Sequence, residues 1–437
     1  MGLIKQLMGL CLVFGWSSWA EATPKIEYWE LENGVGVYFV SSHDLPIVQI
    51  KLVVDAGSAR DPIDMKGLAS MTAGMLEEGT QKRNAQEIAT AFESLGVEFG
   101  ASVNQDMAVL GIRSLSDTRY LTPAMDVFKE VLMQPSFPGP SLEREKQRTL
   151  VVLKQREQSP GDIADRVFNQ LVYGDHPYAS EPIGDAVSVR AMTPEALEKF
   201  YRQFYVGSNT KMTIVGDLTT SKARRLAVTL VGDLPKGEKA PAIIPVEMPK
   251  KSIQRHISFP STQSHIQLGQ PGVIRNDPDY FPLFVGNYIL GGGGLVSRLA
   301  EEIREKQGLA YSVYSYFSPL KERGLFTMGM QTRESQRDKA LLLLQKELQQ
   351  FIDKGPTEAE LVAAKKHLTG GFPLRIDSNK SISGYLTVIG FYDLPLTYLD
   401  EFNDRIESVT VEQIKDAFRR RLQPDKMIIV TVGDGRK

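Results

Sequence analysis

Four consecutive glycines precede charged and aromatic residues in the stretch ILGGGGLVSRLAEEIREKQGLAYSVYSY, residues 289–316. A glycine-rich loop that opens a helix can bind phosphate, because free backbone N–H groups and the helix dipole favour an anion there. A P-loop, however, needs a Lys-Ser/Thr pair after its last glycine, and a dinucleotide-binding loop needs G-x-G-x-x-G. Leu-Val-Ser follows Gly294 instead. The sequence therefore favours a tight turn over a phosphate site.

Histidine and cysteine offer little further chemistry. The chain has five histidines, and no two of them lie three to five residues apart, so a helical pair of imidazole ligands is excluded. His256 and His265 flank a predicted strand turn and are expected to form local hydrogen bonds. The single cysteine, Cys11, lies in the N-terminal segment. Thiol catalysis and cysteine-based zinc sites are thus excluded for the rest of the chain.

Composition and the N-terminal segment limit the class of protein. The 437 residues include 51 Lys and Arg against 53 Asp and Glu, a balance that does not favour nucleic acid or an anionic membrane. Residues 1–22 combine an early lysine, a short apolar run and small residues near Ala22. They predict a cleavable signal peptide, since the apolar run is shorter than the ~20 residues of a membrane span. A periplasmic protein is therefore expected.

Two segments of the chain resemble each other. Residues 192–218 and 409–435 both predict a helix capped by threonine, a turn and an apolar strand ending in Gly-Asp. Thr193 to Gly216 and Thr410 to Gly433 span the same 23 residues. This repeat predicts a duplicated domain, with an N-terminal copy over 23–231 and a C-terminal copy over 253–437. Residues 232–252, rich in Pro and Lys, predict the linker between them.

Periodicity assigns the same elements to both copies. Alternating β-branched residues predict strands such as 34–42, 46–58 and 106–116, and apolar residues spaced by three and four predict helices such as 65–80 and 84–102. The fold class is α+β, each half being a mainly antiparallel sheet with helices on one face. Near the glycines, a helix is predicted with Leu295, Leu299 and Ile303 as its buried stripe. A strand starting at Tyr311 should place Tyr311, Val313 and Ser315 on one face.

These pieces, in this order, resemble the M16 (pitrilysin-type) metallopeptidases in their short, mitochondrial-processing-peptidase-like form. The resemblance rests on GLASMTAGMLEEGT, SRLAEEIREKQGLAYSVYSY and FYDLPLTYLDEF, and it covers nearly all of the chain after residue 22. It implies two related α+β domains, which agrees with the internal repeat.

The first of these motifs has lost the residues that do chemistry in the family. The family pattern G-x-A-H-F-L-E-H-M-x-F-x-G-T supplies two histidines for zinc and a glutamate that activates water. Here the three positions hold Ser70, Ala73 and Gly74, and the third zinc ligand, a glutamate in the family, falls near Val152. No zinc is therefore expected in this chain. Ser70 as an independent nucleophile has no His-Asp partner visible in the sequence.

The second motif is intact. Family members carry an Arg and a Tyr in R-x-x-x-x-G-L-x-Y that reach toward substrate held at the zinc, and Arg304 and Tyr311 occupy these positions. The resemblance implies that both bind substrate, the guanidinium at a peptide carbonyl and the phenol at the carbonyl that becomes an oxyanion. The alternative is that Arg304 belongs to a solvated helix face and Tyr311 packs in the core.

The resemblance implies a subunit without catalysis of its own. Several family members work as pairs in which one chain carries H-x-x-E-H and the other carries the Arg/Tyr motif. This chain is expected to be the Arg/Tyr member of a heterodimeric peptidase, with zinc in the partner subunit and a peptide as substrate. The alternative is a structural or peptide-binding M16-like protein with no peptidase role.

Overall fold

The computed structural model describes residues 23–434, so the predicted signal peptide lies outside the described part of the chain. Two β-sheets, one from each half, form its framework. The strands are β1 (Glu27–Glu30), β2 (Gly36–Ser41), β3 (Ile47–Val54), β4 (Glu98–Val103), β5 (Ala108–Leu115), β6 (Thr210–Gly216), β7 (Ile253–Ser258), β8 (Gln263–Pro271), β9 (Ala310–Ser318), β10 (Leu325–Arg333) and β11 (Ile428–Gly433).

Helices surround the sheets. Among residues 23–434, no helix is long and apolar enough to cross a membrane. The α-helices are α1 (Leu68–Met75), α2 (Ala85–Ser94), α3 (Thr118–Met133), α4 (Gly139–Arg156), α5 (Pro160–Tyr173), α6 (Ala186–Ala191), α7 (Pro194–Phe204), α8 (Thr220–Val231), α9 (Tyr280–Asn287), α10 (Arg337–Lys354), α11 (Glu358–Gly370), α12 (Asn379–Phe391), α13 (Tyr398–Glu407) and α14 (Val411–Arg421).

The two sheets share one topology. The first has the strand order β1-β2-β6-β3-β5-β4 and the second β7-β11-β8-β10-β9, so that β2 to β6 of the first half match β7 to β11 of the second once β1 is set aside. Each sheet contains one parallel pair, β2 with β6 and β7 with β11, and its other pairs are antiparallel. The predicted α+β duplication is confirmed.

The repeated helix-turn-strand unit forms as its sequence predicts. Thr193 caps α7 by accepting a hydrogen bond from the backbone N–H of Ala196. Thr410 caps α14 in the same way, from the N–H of Gln413. Each cap satisfies a donor that the first helical turn leaves free. The strands that follow, β6 and β11, are almost wholly buried and lie near the middle of their sheets.

Each half contributes one helix that packs on the sheet of the other half, which the sequence did not predict. Helix α5 of the first half packs on β8 and β11, and α12 of the second half packs on β3 and β6. The expectation that helices cover one face of each sheet is therefore incomplete, because the second face receives a helix from the opposite half. The nearly complete burial of β6 and β11 reflects packing on both faces.

A buried polar cluster joins the two halves. The Asp106 carboxylate is 0% exposed and accepts hydrogen bonds from the Tyr178 hydroxyl, the Tyr392 hydroxyl at 2.9 Å and the backbone N–H of Lys321 at 2.8 Å. The ammonium of Lys321 pairs with Asp55. Lys321 and Tyr392 belong to the second half, so this cluster holds the halves in one arrangement.

Two predicted elements differ in detail. The helix expected over 84–102 ends at Ser94, and its last residues form strand β4. Gly96 separates the two with a φ of +63°, a left-handed conformation that a helix cannot continue through. The predicted linker has no helix or strand between Val231 and Ile253.

Candidate functional site

Helix α1 carries the first motif, and an aspartate fixes its start. Gly67 precedes the helix with a φ of +90°. The Asp61 carboxylate accepts hydrogen bonds from the backbone N–H groups of Gly67 and Ala69, both at 2.7 Å. Burial raises the pKa of the Asp61 carboxyl to about 7, although these hydrogen bonds act in the opposite direction. The helix is therefore well anchored even though its motif residues have changed.

The motif positions on α1 do not fit zinc. Ser70 is half-buried, Ala73 is 1% exposed, and Gly74 is exposed with open space where a side chain would lie. None of them offers an imidazole or a carboxylate. Val152, at the position predicted for the third ligand, lies on α4, which contacts α1. Within residues 23–434, no group of three or more His, Cys, Asp or Glu residues could hold a metal.

Acidic side chains near the end of α1 belong to an ion-pair network. Burial raises the pKa of the Glu77 carboxyl, and the nearby carboxylates of Glu78 and Glu145 raise it further. Arg144 pairs with Glu78, and Arg148 lies 3.0 Å from Glu145. Glu78 and Glu145 thus have cationic partners on α4.

The histidines make separate contacts. His256 and His265 flank the turn between β7 and β8 as predicted. The expected local hydrogen bond is wrong for His256, whose partner Thr431 lies on β11. Burial lowers the pKa of His265. The other rings contact different parts of the fold: His256 contacts the Thr431 hydroxyl at 2.9 Å, His176 the Ile244 carbonyl at 2.8 Å, His43 the Asp217 carboxylate at 2.6 Å, and His367 stacks on Tyr288.

The glycine-rich segment forms a tight turn. A π-helical turn, Tyr288–Gly292, follows α9 directly. A side chain at Gly291 would come within 2.5 Å of the Ser315 hydroxyl, so this position requires glycine. Gly294 has a φ of +62° and opens a short 3-10 turn, Gly294–Val296. The predicted burial of Leu295 is wrong: it is 64% exposed, because this turn and the extended Ser297 interrupt the helical period.

Regular burial resumes in the helical segment that begins at residue 298. Leu299 and Ile303 are both 0% exposed, as predicted. Arg298 anchors the segment through an ion pair with Glu360 on α11, with 2.6 Å between Nη2 and Oε2. Residues Ala300–Glu305 form a π-helical turn, and Gly308 ends the segment with a φ of +58°. Arg304 therefore projects from an irregular turn and not from a regular helix face.

A β-bulge in β9 turns Tyr311 outward. Val313 pairs with Met330 and Ala310 with Thr332, so two residues of β9 face only one of β10 at this point. Tyr311 is 84% exposed, whereas Val313 and Ser315 are buried. The prediction that these three share one face is wrong because the bulge inverts the alternation. The alternative in which Tyr311 packs in the core is also excluded.

The structure brings Arg304 and Tyr311 together. The guanidinium carbon of Arg304 lies 4.9 Å from the centroid of the Tyr311 ring, within the range of a cation–π contact. The Nε of Arg304 also lies 3.2 Å from the Glu305 carboxylate. The arrangement places an exposed phenolic O–H next to the N–H donors of a partly buried guanidinium. Hydrogen bonds to carbonyl oxygens of a bound molecule are the chemistry that it supports.

A second concave region, on the first sheet, was not predicted. It is a groove of about 1160 Å³ whose lining includes Lys51, Arg113 and Lys380. The sequence contains one signal for it: Gln49 and Lys51 alternate with apolar residues in β3, so one face of this strand is not ordinary core.

Comparison with known proteins agrees with this geometry. Residues 37–185 match the model of the insulinase family, peptidase family M16, and residues 191–368 match the model of the peptidase M16 inactive domain. The chain belongs to peptidase family M16. Among similar M16 proteins, a Helicobacter pylori protein described as the non-peptidase homolog YmxG is 28% identical over 410 residues, covering 92% of this chain and 93% of that protein.

Two other M16 proteins are similar to this chain over nearly its whole length. An uncharacterized zinc protease, YmxG of Bacillus subtilis, is 24% identical, with 92% of this chain and 96% of that protein covered. A solved M16 inactive domain from Pseudomonas fluorescens is 40% identical, with a TM-score of 0.91 over 94% of this chain and 98% of that one. The Helicobacter pylori and Pseudomonas fluorescens proteins are described as a non-peptidase homolog and an inactive domain, in keeping with motif positions that cannot bind zinc, whereas the description of the Bacillus subtilis protein is of a zinc protease.

Proposed function

We propose that this chain is the non-catalytic, substrate-binding subunit of a heterodimeric zinc-dependent M16 peptidase. The observation that carries the proposal is the contact between Arg304 and an 84% exposed Tyr311, in a chain whose α1 lacks zinc ligands. A tyrosine with this exposure contributes little to the core. Its position is better explained by a bound molecule that the isolated chain lacks.

Each of the two side chains has a specific role in this proposal. The Arg304 guanidinium donates a charge-assisted hydrogen bond to a peptide carbonyl. The Tyr311 hydroxyl donates to the carbonyl oxygen that gains negative charge during hydrolysis. The cation–π contact holds the two side chains next to each other. The π-helical turn and the β-bulge, both features that often mark functional sites, place the pair at the surface.

The proposal requires a second chain. That partner would be an M16 subunit with an intact H-x-x-E-H motif, supplying zinc and the carboxylate that activates water. The two subunits would close around the peptide, which would join a sheet edge as an additional strand. If residues 1–22 are a signal peptide, the pair would act in the periplasm.

A binding function without hydrolysis is the second candidate. It is favoured by the description of the Helicobacter pylori relative as a non-peptidase homolog, at 28% identity over nearly the full length of both chains. In that case the Arg304–Tyr311 pair would bind a peptide that no partner cleaves. The two candidates differ in one measurable respect, which is cleavage by the assembled pair.

Co-expression with an H-x-x-E-H chain from the same genome, encoded by the adjacent gene where one exists, tests the proposal. Two chains of about this mass, 48.6 kDa here, should elute together at roughly 90–100 kDa. Elemental analysis should find zinc in the pair and well below one zinc per molecule in this chain alone. The pair should cleave a quenched fluorescent peptide library that neither chain cleaves alone. Separate elution at micromolar concentration, or stoichiometric zinc in this chain alone, would contradict it.

A further inference from the structure

The groove on the first sheet lies on the face opposite α1. Helix α1 packs on the face that holds Val48, Ile50 and Leu52, whereas Gln49 and Lys51 alternate onto the other face. Helix α12 covers the β6 and β3 side of this second face, where the hydroxyls of Thr213 and Ser383 lie 3.3 Å apart. The remaining part, over β5 and β4, lines the groove.

Two rows of residues form the floor of the groove. One row joins Lys51, Gly111 and Gly100 across three strands. At Gly100 an added side chain would meet nothing within 4 Å, and at Gly111 its nearest contact would be the stem of Lys51 at an ordinary 3.7 Å. The second row joins residues 49, 113 and 98. Because the glycine row has no side chains over β5 and β4, the backbone there is open to a ligand.

The charged groups of the groove match in number, with three cations and three carboxylates, but they differ in burial and pairing. Arg113 pairs with Glu98 at 3.1 Å, and His43 pairs with Asp217 outside the floor. Two further carboxylates, Asp44 and Asp377, are exposed. Lys51 is half-buried and forms no ion pair with any described residue, while Lys380, from the first turn of α12, lines the same groove. Burial and the Lys380 ammonium both lower the pKa of Lys51.

We propose that this groove binds an extended peptide segment and places one of its carboxylate side chains between Lys51 and Lys380. A carboxylate there would turn a repulsive pair of ammonium groups into two charge-assisted hydrogen bonds. Apolar side chains along the groove, including those of Ile47, Phe372 and Ile376, would contact the neighbouring residues of the peptide. The volume of about 1160 Å³ exceeds that of most small-molecule sites and suits several peptide residues.

This inference is independent of the peptidase pairing, since the groove is complete within one chain. Fluorescence polarisation of the isolated full chain tests it. The probes are labelled hexapeptides, blocked at both ends, with one central Glu between varied apolar residues, each with a matched peptide carrying Gln. The Glu peptides should bind about 10-fold or more tightly, as a charge-assisted hydrogen bond requires, and the preference should shrink at high salt.

Three variants and one control test whether the preference for Glu depends on residues of the groove. Lys51→Met should abolish the preference for Glu over Gln, and Lys380→Met should reduce it. Gly100→Leu should weaken both peptides at an unchanged melting temperature, because its side chain enters open space. Lys366→Met, at an exposed lysine of α11, should change nothing. Equal binding of Glu and Gln peptides throughout, binding by neither set at millimolar concentration, or a preference that survives Lys51→Met would overturn the proposal.

Discussion

The same unit occurs once in each half of the molecule, and the two copies differ in regularity. In the first half, α2 leads through Gly96 to the edge strand β4. In the second, the helical segment that begins at residue 298 leads through Gly308 to the edge strand β9. Both glycines have left-handed backbone angles, with φ of +63° and +58°. The duplication thus extends to the residue that turns each helix into a strand.

The first copy is regular and the second is not. Helix α2 begins with a complete capping box, and Phe99 of β4 stacks on Phe92 at 5.5 Å between ring centroids. The second copy contains a π-helical turn and a β-bulge, and these expose Tyr311 beside Arg304. One copy uses its aromatic residue for the core, and the other presents it to solvent. In this duplicated fold, departures from regular geometry distinguish the copy proposed to bind substrate.

Substitution of Tyr311 is expected to have the largest effect. In the reconstituted pair, Tyr311→Phe should lower kcat about 10²- to 10³-fold, because it removes one hydrogen-bond donor to the developing oxyanion. Arg304→Ala should lower kcat/KM roughly 10- to 150-fold through loss of a charge-assisted hydrogen bond. Steady-state cleavage of a fluorescent peptide measures both.

The regular copy supplies the control for these variants. Glu93→Ala, at an exposed position near the end of α2, should leave cleavage unchanged. Zinc content and co-elution of the pair should be the same for all three variants. Wild-type cleavage by both Arg304→Ala and Tyr311→Phe would contradict the substrate-binding role.

Two neighbouring positions on α1 should respond in opposite directions. Ala73→Glu should lower the free energy of unfolding by about 2–4 kcal/mol, because it forces a carboxylate into a position that is 1% exposed. Gly74→Ala should raise it by about 0.5–1 kcal/mol, since the position is helical and open. Urea-induced unfolding measures both changes. A neutral Ala73→Glu would mean that α1 still has room for the family's glutamate.

The two left-handed glycines provide a direct comparison of the copies. Gly96→Ala and Gly308→Ala should each lower the free energy of unfolding by about 1–2 kcal/mol, since an added Cβ meets no atom within 4 Å and only the backbone angle is unfavourable. Only Gly308→Ala should also reduce cleavage by the pair, because it shifts Tyr311 relative to Arg304. Equal cleavage by both variants would remove the functional distinction between the copies.

The smallest expected effect concerns the ion pair between Arg298 and Glu360, which anchors the helical segment of the second copy. Burial opposes ionisation of Glu360, but hydrogen bonds from Arg298 and Thr357 outweigh it and lower its pKa to about 2. A lowered pKa stabilises the fold above the ordinary value of 4.5, and this contribution is lost as the pH falls toward 2. Glu360→Gln should therefore cost about 1 kcal/mol at pH 7, a modest figure for a partly exposed pair. The difference from wild type, followed by urea unfolding, should vanish near pH 2; a difference independent of pH would contradict this assignment.

The sequence predicted the features that depend on local pattern. Threonine caps and the apolar strands β6 and β11 could be assigned from residue type and spacing, whereas the motif positions Ser70, Ala73 and Gly74 were identified through the resemblance to the M16 family. Strand β4 was missed because Ile88, Phe92, Leu95 and Phe99 continue a helical spacing across Gly96. A glycine within such a pattern indicates a helix end as readily as a helix interior.

Features that depend on tertiary contacts could not be predicted. The exposure of Tyr311 results from a bulge, and simple alternation assigns it to the same face as Val313. Periodicity gives the apolar face of α5 or α12 but does not tell which sheet that face covers. Lys51 becomes informative only when α12 brings Lys380 to the same groove.

The exchange of α5 and α12 sets the order in which the chain can complete its cores during synthesis. The first sheet receives its last strand with Gly216, but α12 ends only at Phe391, about 175 residues later. At roughly 5–20 residues per second on the ribosome, the face of β2, β6 and β3 that α12 covers stays uncovered for on the order of 10–35 s. A nascent N-terminal half is thus expected to stay protease-sensitive. Ribosome-bound chains stalled before residue 379 and after residue 391, outside the exit tunnel, should differ sharply in proteolysis of the first half.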